Sequence, residues 1–259
     1  MASEPPITIR LPSKYTSSSP STTPFNPPPL PFLHRTWSVT HSTLSMWRTA
    51  QNVRITYGPL PSKTKGGEDV ERVSDLVEYE ALSKDKEKED TTNGGEGGTG
   101  ARDGVVERKK GGKGKGNKVK RIQGVDTAVT KGDGGAWDWR GSGLLFFVGS
   151  HWEVLGWGER PLSKPSSSSS SSPSSQGQGE NGGGAEPEVE RWVVTWFAPT
   201  VFTAEGLDVY SDRREGPSEG LARDVLAELE RVCKGQGKLG VIVERDMREV
   251  AIRLPWGEA

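Results

Sequence analysis

The chain of 259 residues contains a single cysteine, Cys233. No intramolecular disulfide can form, so the fold must hold by burial alone, and such usage suits a reducing compartment. Long apolar runs are missing too. Nothing approaches the roughly 20 residues that cross a bilayer as a helix, and the first segment, MASEPPITIRLPSKYTSSSP, lacks the apolar centre of a secretory signal. With only Arg10 and Lys14 as cations, that segment is also poor as an organelle transit peptide. Charge of one sign is absent: 34 Lys and Arg against 35 Asp and Glu leave a formal net charge of −1. A global pull toward nucleic acid or an anionic membrane is thereby removed. The three histidines, His34, His41 and His151, show no metal-ligand spacing. Nucleophile motifs, phosphate-binding glycine loops and zinc patterns are lacking. The expectations are no membrane span, no cofactor, no nucleic-acid partner, and a cytoplasmic location with the nucleus as the alternative.

What the chain does have is glycine, proline and serine in blocks. Gly (34) and Pro (18) cluster with Ser and charge, and such blocks bury too little apolar surface to offset the entropy of ordering them. Residues 1–31 read as a mobile Ser/Pro-rich lead-in, with Ile7, Ile9 and Leu11 as a candidate short edge strand. Residues 83–118 run through KDKEKED, TNGGEGGTG and RKKGGKGKGNK; residues 159–189 include seven serines from Ser166 to Ser172. Both read as disordered insertions into one domain spanning 32–256, since lengthening a loop adds little closure entropy. The basic tract Arg108 to Arg121 has no interleaved aromatics for base stacking, so it reads as solvated.

Between the blocks, apolar residues alternate. Trp37, Val39 and His41 share one face; Val53, Ile55 and Tyr57 share another, with Gly58-Pro59 expected to end that strand. Val77, Tyr79 and Ala81 keep step, as do residues of 118–129, where Gly124 reads as a bulge. The stretch Ala136 to Gly158 holds four of the nine tryptophans. There GGAWDWRGSG reads as an aromatic loop, Leu144 to Val148 as a strand buried on both faces, Gly149-Ser150 as a turn, and His151 to Gly158 as the return strand. RWVVTWF and GLDVYS follow as strands. PSEGLARDVLAELERVCK carries Leu221, Val225, Leu229 and Val232 at helical spacing, with Pro217 at its start and Gly235 at its end. Val241 to Val243 and Val250 to Leu254 read as a closing hairpin, with a second helix as the alternative. The sum is a mainly β chain: an antiparallel up-and-down barrel of about eight strands with one C-terminal amphipathic helix.

These segments resemble the calycin superfamily, the lipocalins and fatty-acid-binding proteins. FLHRTWSVTHS is similar to a lipocalin first strand, although Arg35 stands where that motif has glycine. TWSVTHSTLSMW–NVRITY, AWDWRGSG, SHWEVLGWG and RWVVTWF–FTAEGLDVYS resemble a group of fungal calycin-like proteins, over roughly 32–82 and 118–233. The resemblance implies a barrel with a cavity for a small apolar molecule and implies no activity.

A ligand-binding barrel needs apolar walls and a few polar anchors. Trp37, Tyr57, Trp139, Phe146, Trp152 and Trp196 are the candidate walls, and Arg54 and Arg140 the candidate anchors, a guanidinium being a natural partner for a carboxylate or phosphate. The alternative is that the rings merely fill a small barrel. His151 and Glu153, two apart on one strand, could serve as an acid/base pair in a barrel isomerase or cyclase. A third reading is a filled-barrel interaction scaffold. The first reading, a barrel that takes a small hydrophobic or amphipathic ligand, is carried forward.

Overall fold

A computed structural model describes residues 6–16, 25–82, 118–129, 134–162, 188–201 and 203–257. The inner parts of both expected insertions lie outside these residues. Eight antiparallel strands follow one another around a ring: β1 (Thr36–Ser42), β2 (Ala50–Lys65), β3 (Glu68–Ala81), β4 (Val119–Ala128), β5 (Ala136–Gly141), β6 (Gly149–Pro161), β7 (Val189–Phe197) and β8 (Gly206–Ser211). The ring closes because β1 pairs with β8 on one edge and with β2 on the other. Two helices, α2 (Glu219–Cys233) and α3 (Lys238–Asp246), follow the barrel; a short α1 (Leu30–Leu33) precedes it.

Period-two alternation sorts the side chains. Trp37, Val39, Val53, Ile55, Tyr57, Val73, Trp137, Trp152, Val154, Val193 and Tyr210 form the inner core. Strands β7 and β8 are apolar on both faces. Their outer residues, among them Trp192, Val194, Trp196, Leu207 and Val209, pack against Leu221, Val225, Leu229, Leu239 and Ile242 of the helices. The Ser218 side chain caps α2 by accepting from the Leu221 amide at 3.2 Å, and the buried Glu190 carboxylate accepts from the Ser218 amide at 2.7 Å. The helix is therefore pinned to β7 at its first turn.

Several expectations are corrected. Gly58-Pro59 does not end β2; Pro59 sits opposite Val73 within it. The β1 pairing covers only Arg54 to Thr56, so beyond Tyr57 that edge is open and needs no donor from proline. AWDWRG is strand β5, not a loop. Leu144 to Val148 is not a strand but a 3-10 turn and its exit, with Leu144, Phe146 and Phe147 exposed; both edges it would have paired with are already taken by β5 and β6. Gly124 forms no bulge. Its missing Cβ leaves the space that the Trp139 indole occupies, 2.2 Å from where that carbon would stand. Residues 241–243 belong to α3, and the remainder of the tail offers only the two-residue β9 (Arg248–Glu249). β6 runs on to Pro161, past the expected start of the second insertion at 159.

Part of 1–31 is held against the barrel rather than free. The Arg10 amide donates to the Leu155 carbonyl at 2.8 Å, and Ile9 is buried against the outer core. Residues 7–11 add only that ladder bond and form no strand. At the end of the barrel where β1 starts, α1 acts as a plug. Phe32 packs on Trp37 and Trp157, and the Trp37 indole donates to the Leu33 carbonyl at 3.1 Å.

At the opposite end β1 and β2 part, and the tail fills the seam. Glu249 pairs with His41, the Val250 amide donates to Thr40, and the Asn52 amide donates to Ala251. Asn52 bends β2 there with φ of 52°. Its side chain donates to Glu80 and to the Arg253 carbonyl and accepts from the Arg253 amide. Asparagine suits both tasks, since it tolerates the left-handed region and is small and doubly polar. Replacing Asn52 with Ala should lower unfolding free energy by about 2–4 kcal/mol through backbone strain plus lost buried bonds, whereas Asn52→Gly should lose about 1 kcal/mol less. Urea denaturation of the two variants side by side checks the order.

Candidate functional site

Inside the barrel, toward the end where β1 and β2 part, lies a cavity of about 150 Å³. Its walls include Trp47, Ile55, Tyr57, Val77, Trp139 and Trp152. Stacking fixes the rings: Tyr57 on Trp152 at 5.7 Å and Trp137 on Trp152 at 5.9 Å. Larger clefts, such as one of about 410 Å³ beside α3, open on the outer surface. That cleft is walled by Glu205, Lys238, Arg245 and Asp246, which are engaged in ion pairs.

The inner polar groups are carboxyls. Asp75 alternates with Val77 on β3, Asp126 with Gly124 on β4, and Asp208 with Tyr210 on β8, so each points into the barrel. Burial raises the Asp75 pKa well above the usual carboxylate range, and the nearby Asp126 charge adds to it, while a hydrogen bond from Trp139 offsets a part. Asp126 is also raised by burial, against the bond its Oδ1 accepts from the Trp152 indole at 2.7 Å. Asp208 is pushed up to about 7 by burial, despite the hydrogen bond from Ser42, the nearby Trp47 indole and the charge of Arg48. Asp75 Oδ1 and Asp126 Oδ2 have no hydrogen-bond partner among the described residues. Among the described residues the cavity lining contains no Lys, Arg or His. Burial thus favours the protonated form of these carboxyls, in which they can donate as well as accept.

Of the eight residues expected at a ligand site, Tyr57, Trp139 and Trp152 line the cavity. Trp37 lies inside the barrel but at the plugged end. Arg54 points outward, paired with Glu78 at 3.1 Å and lying 5.1 Å from the Trp256 ring centre. Arg140 and Phe146 are exposed. Trp196 is on the outer face, its indole donating to Glu205 at 3.0 Å. No arginine therefore anchors a ligand in the cavity. The aspartates were the missed residues. The available signal was an acidic residue in phase with an apolar strand face.

His151 and Glu153 do share a face, at 3.6 Å, but it is the outer one. The N-terminal segment covers the pair: the Ser13 amide and hydroxyl donate to Glu153, and Arg10 lies 3.6 Å from it. Burial pushes the Glu153 pKa up, but His151 and Ser13 outweigh it and hold the carboxylate low. His151 is raised by Glu153, against burial and with help from Asp138 at 2.9 Å. Glu205 is a second outer hub. Burial is outweighed by Tyr15, Lys14 and Lys238, which keep it ionised. Among the described residues no cluster of His, Cys, Asp and Glu could hold a metal ion, and no helix is long and apolar enough to cross a membrane. Neither the family models nor the curated proteins compared with the chain give a match.

The two sets of acids oppose each other in pH. Asp208 binds its proton more tightly folded than unfolded, so its contribution is full below about pH 4, shrinks as pH rises to about 7, and is then flat. Asp75 and Asp126 act in the same direction. His151, raised in the fold, contributes below its unfolded pKa and loses that as pH climbs through its native value. Glu153 and Glu205 contribute above the ordinary carboxylate pKa and lose it on acidification. The melting temperature should peak in mildly acidic buffer, near pH 5, and fall toward pH 8. Asp208→Asn should flatten that alkaline limb in a thermal-shift series.

Proposed function

We propose that this chain is a calycin-like barrel that binds one small amphipathic molecule in its inner cavity, within the cytoplasm or nucleus. The observation that carries the reading is Asp75, which lines an aromatic cavity with no basic residue among its described lining residues and whose Oδ1 has no hydrogen-bond partner among the described residues. A filled barrel has no use for such a group, because an orphaned buried acceptor costs about 1–3 kcal/mol. A bound N–H or O–H donor would relieve that cost. The occupant is therefore a planar, apolar body with at least one hydrogen-bond donor, held against Trp139 and Trp152. Size sets a second limit. Pockets for drug-sized ligands start near about 300 Å³, whereas an engineered apolar cavity of about 150 Å³ takes a single benzene ring. A one-ring or similarly compact molecule fits. The single buried Cys233, its thiol pushed up to about 11 by burial, is inert and in keeping with a reducing interior.

Native mass spectrometry of the protein from its own cells should show a small added mass that Asp75→Ala reduces. A clean apo mass under gentle ionisation would remove the reading. Independently, compact aromatic amines and phenols should quench tryptophan fluorescence in wild type, with affinity about 5- to 20-fold weaker in Asp75→Ala, the loss of about one buried hydrogen bond.

A further inference from the structure

Five of the seven exposed large apolar side chains among the described residues lie in the strand connections at one end; Val241 and Leu254 are the others. In an up-and-down ring the β1–β2, β3–β4, β5–β6 and β7–β8 connections all fall at one end, and here that is the end where the cavity lies. The β5–β6 connection, residues 142–148, exposes Leu144 by 91%, Phe146 by 70% and Phe147 by 60%. The β7–β8 connection adds Val201 at 90% and the β1–β2 connection adds Met46 at 38%. Phe146 and Phe147 pack edge to face at 5.7 Å, so the two rings stand as a unit. The tip is held in shape by its own backbone: the Leu145 amide donates to Ser142, Val148 to Leu145, and Ser142 to Gln123 of β4. A preformed, water-facing apolar tip of this size marks a contact surface.

Charge at the same end is one-sided beside that tip. Lys118, Lys120 and Arg121 open β4, and Arg140 lies near the end of β5; all four are exposed. Lys120 stands 5.7 Å from the Tyr79 ring, over the rim of the opening. The acids of the neighbouring β3 are spent: Glu78 is bonded to Arg54 and Arg121, and Glu80 is buried among Gln51, Asn52 and the Gly257 amide. Across the opening, α3 and β9 set Glu244, Asp246 and Glu249 against Arg245 and Arg248, one negative charge in excess among these five. Among the described residues the positive excess therefore lies on the β4–β5 side, where the apolar tip projects.

We infer that this end of the barrel docks on an anionic lipid surface, with Leu144, Phe146 and Phe147 entering the headgroup layer and Lys118, Lys120 and Arg140 facing the lipid phosphates. Apolar insertion flanked by cations is what interfacial attachment requires, and neither half suffices alone. The chain lies on the surface and does not span it. The geometry turns the cavity's open end toward the membrane. The inference stands whether or not the cavity holds a ligand.

Sedimentation of the full chain with vesicles tests it. The protein should pellet with vesicles of phosphatidylcholine plus phosphatidylserine, stay in solution with phosphatidylcholine alone, and be released by salt. Phe146→Ser with Phe147→Ser, and separately Lys120→Glu with Arg140→Glu, should each lower the partition coefficient about tenfold. Near-UV circular dichroism verifies that the barrel persists; should the double variants misfold, Leu144→Ser alone carries the test with a severalfold loss. Wild type that stays in solution with both vesicle types overturns the inference. So does binding that the tip variants leave intact, which would assign it to the basic tract 108–121 alone. Tip variants that convert a dimer to a monomer in size exclusion without changing vesicle binding would make the tip a self-association surface and overturn it equally.

Discussion

Everything here depends on β1 being hydrogen-bonded along both edges. A row of unpaired amides and carbonyls on a strand edge invites association with other chains, and full closure is what removes it. β1 achieves this by dividing its length. Near its start it pairs with β2, and beyond the bulge after Val39 its free edge is taken by the tail at Arg248–Glu249. The left-handed Asn52 and its bonds to Arg253 and Glu80 complete that seam. Closure of eight strands sets the interior width, and that width is one that large side chains nearly fill. A small cavity, rather than a roomy one, follows from strand number and indole volume together.

The second consequence of closure is electrostatic. Three aspartates share the apolar inner faces of β3, β4 and β8; Asp75 and Asp208 line the cavity, and among the described residues no basic one joins them there. In such a setting ionisation is penalised, so the carboxyls act as proton-bearing polar groups in an aromatic cage. The outer face uses the opposite arrangement. Glu153 and Glu205 are buried beneath the N-terminal segment but are matched by Ser13, Arg10, Lys14, Tyr15 and Lys238, which keeps them charged. One barrel wall thus separates acids whose pKa is raised by burial inside from paired carboxylates outside. The paired ones clamp residues 6–16 and α3 to β6 and the β7–β8 connection.

Strand identity was mostly legible because alternation is a local property. Trp37-Val39, Val53-Ile55-Tyr57, Trp192 to Phe197 and Leu207 to Val209 all declare a two-residue period. The failures share one cause. GLLFFV has strand composition, yet Leu144 to Val148 forms an exposed turn because β5 and β6 already pair with each other. Val241 to Val243 has β-branched residues, yet it becomes helical to lay Leu239, Ile242 and Val243 on the outside of β7 and β8. Gly58-Pro59 reads as a terminator, yet it sits in a strand because the edge it faces is unpaired. In each instance the neighbours in the fold overrode propensity.

Period, composition and the helix stripe by themselves determined an all-antiparallel barrel with an amphipathic helix, since a segment's own side chains decide which faces it must bury. Which face is the inside was left to tertiary structure. Trp152 and Trp196 look alike along the chain, but ring closure turns one toward the cavity and the helices cover the other. His151 and Glu153 face the same way in any register, and only the packed fold shows that way to be outward. Aspartate at 75, 126 and 208 is marked in its own segment only by standing in phase with an inward strand face, because desolvation is produced by the opposite walls of the barrel and exists only once they meet.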